Sequence, residues 1–225
     1  MSASTEASVK PLVENMNDIY WGLIKDFMDE LRANSNIVIK NITTPQPMTK
    51  KEREYVKTVN PSDIFDFHSE MNGLNVEWKG KKVKNADIKG SIKILSAQQV
   101  LQDWKGIVYF DFTPDDDRIK NFHPIDFFID EACVGVFLNE SEKKDSSLYL
   151  FSFEGEPVNL NMNINAYLEM AIASKGFLYW QYAVIEILEG KENPVSNRFK
   201  EWMPKLFVNF SWEQYMLLYK KIRIL

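Results

Sequence analysis

The stretch YFDFTPDDDRIKNFHPIDFFIDE, Tyr109 to Glu131, carries seven carboxylates: Asp111, Asp115, Asp116, Asp117, Asp126, Asp130 and Glu131. Carboxylates at this density can hold a hard cation, run general acid–base chemistry, or present a negative field to a basic partner. An EF-hand loop opening at Asp111 would put Asp116 where glycine is required and Phe122 where the bidentate glutamate belongs, so that motif fails. Consecutive residues Asp115 to Asp117 cannot all point at one ion from a regular element, although a loop can present two of them. TPDDD also reads as a turn, with Pro114 setting the backbone and the aspartates favouring it. A solvated turn and a partner-binding acidic surface therefore stand ahead of a metal site.

His68 and His123 are the two histidines and Cys133 the single cysteine. A zinc site would need the histidines to meet each other plus a carboxylate or Cys133, and no ligand spacing such as HExxH occurs. A cysteine nucleophile is disfavoured because Cys133 lies in EACVGVFL, where burial raises a thiol's pKa. No nucleophile elbow, glycine-rich phosphate loop or dinucleotide fingerprint is present. The sequence predicts no catalytic residue, no cofactor and no metal. Its candidate partner-binding residues are Asp115, Asp116 and Asp117, with Asp130 and Glu131 at a strand connection.

The elements that must position these residues follow from periodicity and capping. Leu12, Met16, Ile19, Leu23, Phe27 and Leu31 fall at steps of three and four, one face of a long helix over about 11–33, with Trp21 on the other side. NSNIVIKNITTPQP reads as a short strand or extended linker. Thr49 caps the short charged helix KKEREYVKTV. In NPSDIFDFHSEMNG, Asn60 caps, Pro61 takes the first helical position, and Asn72-Gly73 ends the helix. LNVEWKG alternates as a strand, with Leu74, Val76 and Trp78 apolar. SIKIL is another strand, and Ser96 caps the helix AQQVLQDW. IVYFDF, NFHPIDFF and ACVGVFLN are three further strand candidates, followed by LYLFSF.

After Leu160 the chain turns helical. NINAYLEMAIASKG and FLYWQYAVIEILEG close at Gly176 and Gly190, and the aromatic run FLYWQY is expected to be core, with Trp180 buried. SNRFKEWMPKLF and SWEQYMLLYKKIRIL are two more helices, the second opened by Ser211 and Gln214 in capping-box spacing. Helices at both ends of a central run of strands describe an α+β domain.

Composition sets the remaining bounds. The 225 residues are 45% hydrophobic and 13% aromatic, a globular composition with length for one large domain. MSASTEASVKPLVENMNDIY has neither the basic start nor the apolar run of a secretory leader. Ile164 to Leu188 is long enough to span a bilayer, but Glu169, Lys175, Gln181 and Glu186 interrupt it, so a soluble, cytoplasmic protein is expected. A lone cysteine fits a reducing compartment. Net charge is −5, unevenly spread: Asp111 to Glu156 holds twelve acidic residues against four basic, whereas Lys79 to Lys93 holds six lysines against Asp87 alone. The acidic segment would repel phosphate, which argues against nucleic acid as a partner. The lysines are expected on a solvated hairpin turn.

The order of several segments resembles the SUKH superfamily, which includes yeast cell-wall-synthesis regulators and many bacterial immunity proteins. The matching pieces are the helix Pro61 to Gly73 ending in Asn-Gly, the strand carrying Trp78, SIKILSAQQVLQDW, NFHPIDFF, ACVGVFLN, and LYLFSFEGEPVNLNMNINAYLEM. Together they cover about residues 55–175. Val59-Asn60 stands where the family often has Leu-Pro. The resemblance implies one α+β domain over 1–225 with a central mixed or antiparallel sheet flanked by helices. Residues 11–33 would be an added N-terminal helix and 177–225 a C-terminal helical extension. It implies no catalytic residues. It implies a non-enzymatic bacterial immunity protein that binds and neutralises a cognate polymorphic toxin, such as a nuclease, in the producing cell. The partner would be a toxin with a basic surface, not a nucleic acid or a membrane. The alternatives are an intracellular scaffold or regulator on the same fold, and a carboxylate-dependent hydrolase using Asp111, Asp115, Asp126 and a histidine.

Overall fold

The computed structural model describes residues 16–43, 45–59, 65–81, 87–138 and 147–224. Among them run eight α-helices and seven strands in an α+β arrangement. The strands are Ile37–Thr43 (β1), Leu74–Gly80 (β2), Lys89–Ile94 (β3), Phe122–Ile129 (β4), Ala132–Phe137 (β5), Tyr149–Phe151 (β6) and Val158–Asn159 (β7). They form one sheet in sequence order, a meander with every neighbouring pair antiparallel. β2 shows the expected alternation, burying Leu74, Val76 and Trp78 while Asn75, Glu77 and Lys79 stay at least partly exposed. β5 is buried at every position, as its unbroken apolar run requires.

The seam between β3 and β4 is short, with Ile94 opposite Asp126 and the Leu95 N–H donating to the Ile125 carbonyl at 2.8 Å. The other end of β3 pairs instead with the turn after the helix Ile164–Ala173 (α5). There the Ser91 N–H donates to the Gly176 carbonyl at 2.7 Å, and the Leu178 N–H to the Lys89 carbonyl at 2.9 Å. That turn needs left-handed backbone at Lys175 and Gly176, with φ of +56° and +64°. Trp78 locks the junction, its indole N–H donating to the Lys175 carbonyl at 2.7 Å and its ring lying on Gly90.

The other helices are Met16–Ala33 (α1), Lys50–Val59 (α2), Asp66–Glu70 (α3), Ala97–Val100 (α4), Gln181–Glu189 (α6), Pro194–Leu206 (α7) and Trp212–Ile222 (α8). Capping behaves as the sequence predicts at Thr49, whose Oγ1 accepts from the Glu52 N–H while Glu52 reaches back to the Thr49 N–H. Ser96 forms the same box with Gln99, and Ser211 accepts from the Gln214 N–H. The expected cap at Asn60 and Pro61, and most of the lysine turn, lie outside the described residues.

Three expectations are corrected. IVYFDF is no strand: residues 105–112 form turns joined by one local bridge, because Gly106 takes a φ of +84° and folds its N–H back onto the Tyr109 carbonyl at 2.6 Å. The helix at AQQVLQDW is confined to Ala97–Val100. In α1 the buried stripe is Ile24, Phe27, Met28 and Leu31, with Leu23 40% exposed and Trp21 packed against the core, so the helix is rotated from its expected face. Leu12 lies outside the described residues. Among the described residues no helix is long and apolar enough to cross a membrane.

Candidate functional site

The acidic stretch lies on the excursion between α4 and β4, which is built rather than loose. Trp104 anchors its start: the side chain is buried, its indole N–H donates to the Val100 carbonyl at 3.1 Å, and its ring stacks on Phe127 with centroids 5.8 Å apart. Val108, whose N–H donates to the Trp104 carbonyl at 2.9 Å, is buried as well. One Asp103 oxygen accepts from the Tyr109 hydroxyl at 2.6 Å and from the Lys105 N–H at 2.9 Å. These bonds, the tyrosine's first, hold the Asp103 carboxyl below its usual range. A tight turn follows, in which Phe110 and Thr113 exchange two hydrogen bonds of 3.0 Å.

The three consecutive aspartates divide their work. Asp117 caps the 3₁₀ turn Arg118–Asn121, accepting from the Ile119 N–H at 3.0 Å. Asp115 accepts from the Lys120 ammonium at 2.7 Å, and that bond and charge lower its carboxyl's pKa. Asp116 is exposed and has no ion-pair partner among the described residues. Asp111 pairs with Lys105 at 2.5 Å. The excursion also exposes a feature that periodicity hid. Phe110 and Phe112 stack face to face, centroids 5.4 Å apart and planes 5° off parallel, and Phe112 is 85% exposed.

Asp130 and Glu131 sit at the tight turn joining β4 to β5. All of β4 separates them from Asp115–Asp117, on the order of 25 Å of extended chain, so these candidates form two patches rather than one. Glu131 lines a shallow cleft of about 220 Å³ with Ala132, Ser152, Glu154, Tyr179, Tyr182 and Val195. That cleft opens near the starts of α6 and α7, whose first N–H groups are already taken by the preceding turn and by the Asn193 cap.

The remaining candidates are dispersed. His68 is fully buried, and its Nε2–H donates to the Leu95 carbonyl at 3.1 Å; burial pushes its pKa down to about 4. His123 donates through Nδ1 to the Val100 carbonyl at 2.7 Å and is likewise depressed, chiefly by burial. Burial pushes the Cys133 thiol far up. Among the described residues no three His, Cys, Asp or Glu side chains are placed to hold one metal ion.

A buried polar centre escaped the sequence reading. Asp126, wholly buried in β4, accepts from the Lys93 N–H at 2.8 Å through one oxygen and from the Tyr167 hydroxyl at 2.7 Å through the other. The Tyr167 oxygen in turn accepts from the Gln181 amide at 3.0 Å. The centre thereby ties β3, β4, α5 and α6 together at the short sheet seam. Burial raises the Asp126 carboxyl to about 6 despite these donors. An apolar strand interrupted by a single Asp was the available signal. Because Asp126, Tyr167, Trp180 and Gln181 are all sealed from solvent, this centre serves the fold and offers a substrate no approach. Asp126 is thus buried, whereas Asp111 and Asp115 are exposed.

Comparison with protein-family models, curated proteins and solved structures finds no match to this chain.

Proposed function

We propose that the chain is a non-enzymatic immunity protein that binds a cognate toxin with a basic surface and neutralises it in the cytoplasm of the producing cell. The observation that carries this reading is the built excursion of residues 103–117. Five aspartates against one lysine lie there on a hydrogen-bonded frame, and Asp111, Asp115 and Asp116 among them are exposed. A preset field of this kind accelerates encounter with a positive partner and costs little ordering on contact. A nuclease fits best, since its cleft is positive in order to attract phosphate, and carboxylates can occupy or flank such a cleft. The resemblance of the segment order to SUKH immunity proteins supports the same reading.

The test is association kinetics with a candidate toxin domain drawn from the genes neighbouring this chain's, coupled to protection of cells expressing that domain. Changing Asp115, Asp116 and Asp117 together to Asn should leave the fold intact, because Asn caps as well as Asp at position 117. Association should slow by on the order of tenfold at low salt, and the difference should shrink as the Debye length falls to about 8 Å at physiological ionic strength. Protection with no binding, or binding with no protection, would remove the immunity reading. The second outcome would favour a scaffold.

A further inference from the structure

Carboxylates steer a partner but seldom anchor it; anchors are rigid aromatic or arginine side chains at the centre of a contact. The excursion of residues 103–117 offers such a centre. Phe112, 85% exposed, and Phe110, 44% exposed, form one stacked pair, and Ile107, 47% exposed, lies in the same loop. Three large apolar side chains exposed within six residues are not a random scatter of surface hydrophobics. The pair is fixed from below: Phe110 exchanges backbone and side-chain bonds with Thr113, Trp104 is buried against Phe127, and Tyr109 is tied to Asp103. Little conformational freedom would be lost on contact.

The charges around the pair choose its occupant. Asp111 lies between the two rings in sequence, and the side chains of Asp111 and Asp115 stand almost entirely in water, with Asp116 exposed beside them. The ion pairs to Lys105 and Lys120 are surface pairs that a competing cation can exchange at little cost. A phosphate backbone or an anionic membrane would meet repulsion. A guanidinium group meets both things it binds well: an aromatic face for its plane, and carboxylates for its N–H fork.

We infer that the stacked Phe110–Phe112 pair and Asp111, Asp115 and Asp116 form an arginine-reading protein interface, in which a partner's guanidinium lies on the rings and donates to the carboxylates. This inference rests on the reading of the chain as a binder of a basic protein and names the anchor of that contact.

The test uses the full chain and an octamer of arginine, with an octamer of lysine as the matched control. Binding is followed at low salt through the ring resonances of Phe110 and Phe112. Arginine should bind at least about threefold more tightly than lysine, because an ammonium cannot stack. Phe112→Ala should weaken arginine binding about tenfold while leaving the thermal midpoint unchanged, since the ring packs against nothing in the core. Asp116→Asn with Asp111→Asn should remove most of the salt dependence. Equal affinity of wild type and Phe112→Ala for the arginine octamer would overturn the inference. So would equal binding of lysine, or Phe112-dependent binding to phosphatidylserine vesicles in place of the peptide. The peptide assay needs no toxin, so its failure is separate from that of the immunity reading, which is judged by cell protection alone.

Discussion

Asp126 should make this protein less stable as pH rises through the weakly acidic range, and the size of the effect can be worked from its surroundings. In the unfolded chain the carboxyl titrates near 3.9, whereas in the folded protein burial raises it to about 6. Below about pH 4 both states hold the proton and the group contributes no difference. Between about pH 4 and 6 the unfolded state ionises while the folded state keeps its proton. The folded form then binds more protons, and stability falls with pH. By pH 7.5 the accumulated loss is about 3 kcal/mol, at 1.36 kcal/mol for each pH unit of displacement. The group is wholly buried, so solvent screening does not discount the figure.

Asp126→Asn removes the titration while keeping polar partners. The new amide can accept from the Lys93 N–H and donate to the Tyr167 oxygen. A flip of Gln181 would then let its Oε1, which otherwise has no partner, accept from the tyrosine hydroxyl. The assay is urea unfolding of both proteins at half-unit steps from pH 4 to 7.5. Stability of the variant relative to wild type should climb by about 2–3 kcal/mol across that range. Using the difference is essential, because Glu52, Asp103 and His68 titrate with the opposite sign. A relative stability that stays flat within about 0.5 kcal/mol, or declines with pH, would refute the assignment of a protonated carboxyl at the sheet seam.

His68 should act in the other direction. Its pKa falls from about 6.5 unfolded to about 4 folded, so stability is lost as pH drops through that window, by about 3 kcal/mol. His68→Gln, which can still donate to the Leu95 carbonyl, should flatten the acid limb of the same unfolding series; an unchanged limb would show the ring to be protonated and solvated. Gly90→Ala places a methyl carbon 2.2 Å from the Trp78 indole, so the variant should lose more than about 3 kcal/mol or fail to fold, as read by thermal melting. Trp180→Ala should cost about 3–5 kcal/mol in urea, since the ring is fully buried against Tyr167; a loss below about 1 kcal/mol would put the ring at the surface.

What could be read from sequence followed from local rules. Ser96, Thr49 and Ser211 cap as their spacing requires, and β2, β4 and β5 lie where alternation or an apolar run put them. Trp180 is core as its apolar neighbourhood suggested, although FLYW forms the turn before α6 rather than its first helical residues, and the ring packs against Tyr167. IVYFDF misled because alternation is necessary for a half-buried strand but not sufficient. Gly106 turns the chain before the segment can pair, and Phe110 and Phe112 end outside while Tyr109 packs against the core. Rotation of α1 toward Ile24 was hidden because Leu23 and Ile24 satisfy neighbouring registers equally well. Of the polar centre only Asp126, alone in an apolar strand, was legible in the sequence; its partners were not. Tyr167 is 41 residues from Asp126, and Gln181 is 14 further on, so no local pattern encodes their meeting. In the acidic turn, cap chemistry could have singled out Asp117; the ion pair of Asp115 depends on where Lys120 is carried by the 3₁₀ turn.

The lock between Trp78 and Lys175 bears on how the chain is born. The indole leaves the ribosome 97 residues ahead of the carbonyl that accepts its hydrogen, an interval of about 5–20 s at ordinary synthesis rates. During it the β2–β3 hairpin can zip locally, yet the ring has neither Phe177 nor Phe207 to lean on, and half of β3 waits for the turn at Gly176. A nascent chain in that condition presents an open strand edge beside a bare indole, the surface that holding chaperones shield and that neighbouring nascent chains can misuse. Translation speed across residues 95–175 is therefore part of this protein's folding chemistry, and slow codons there would lengthen its exposure.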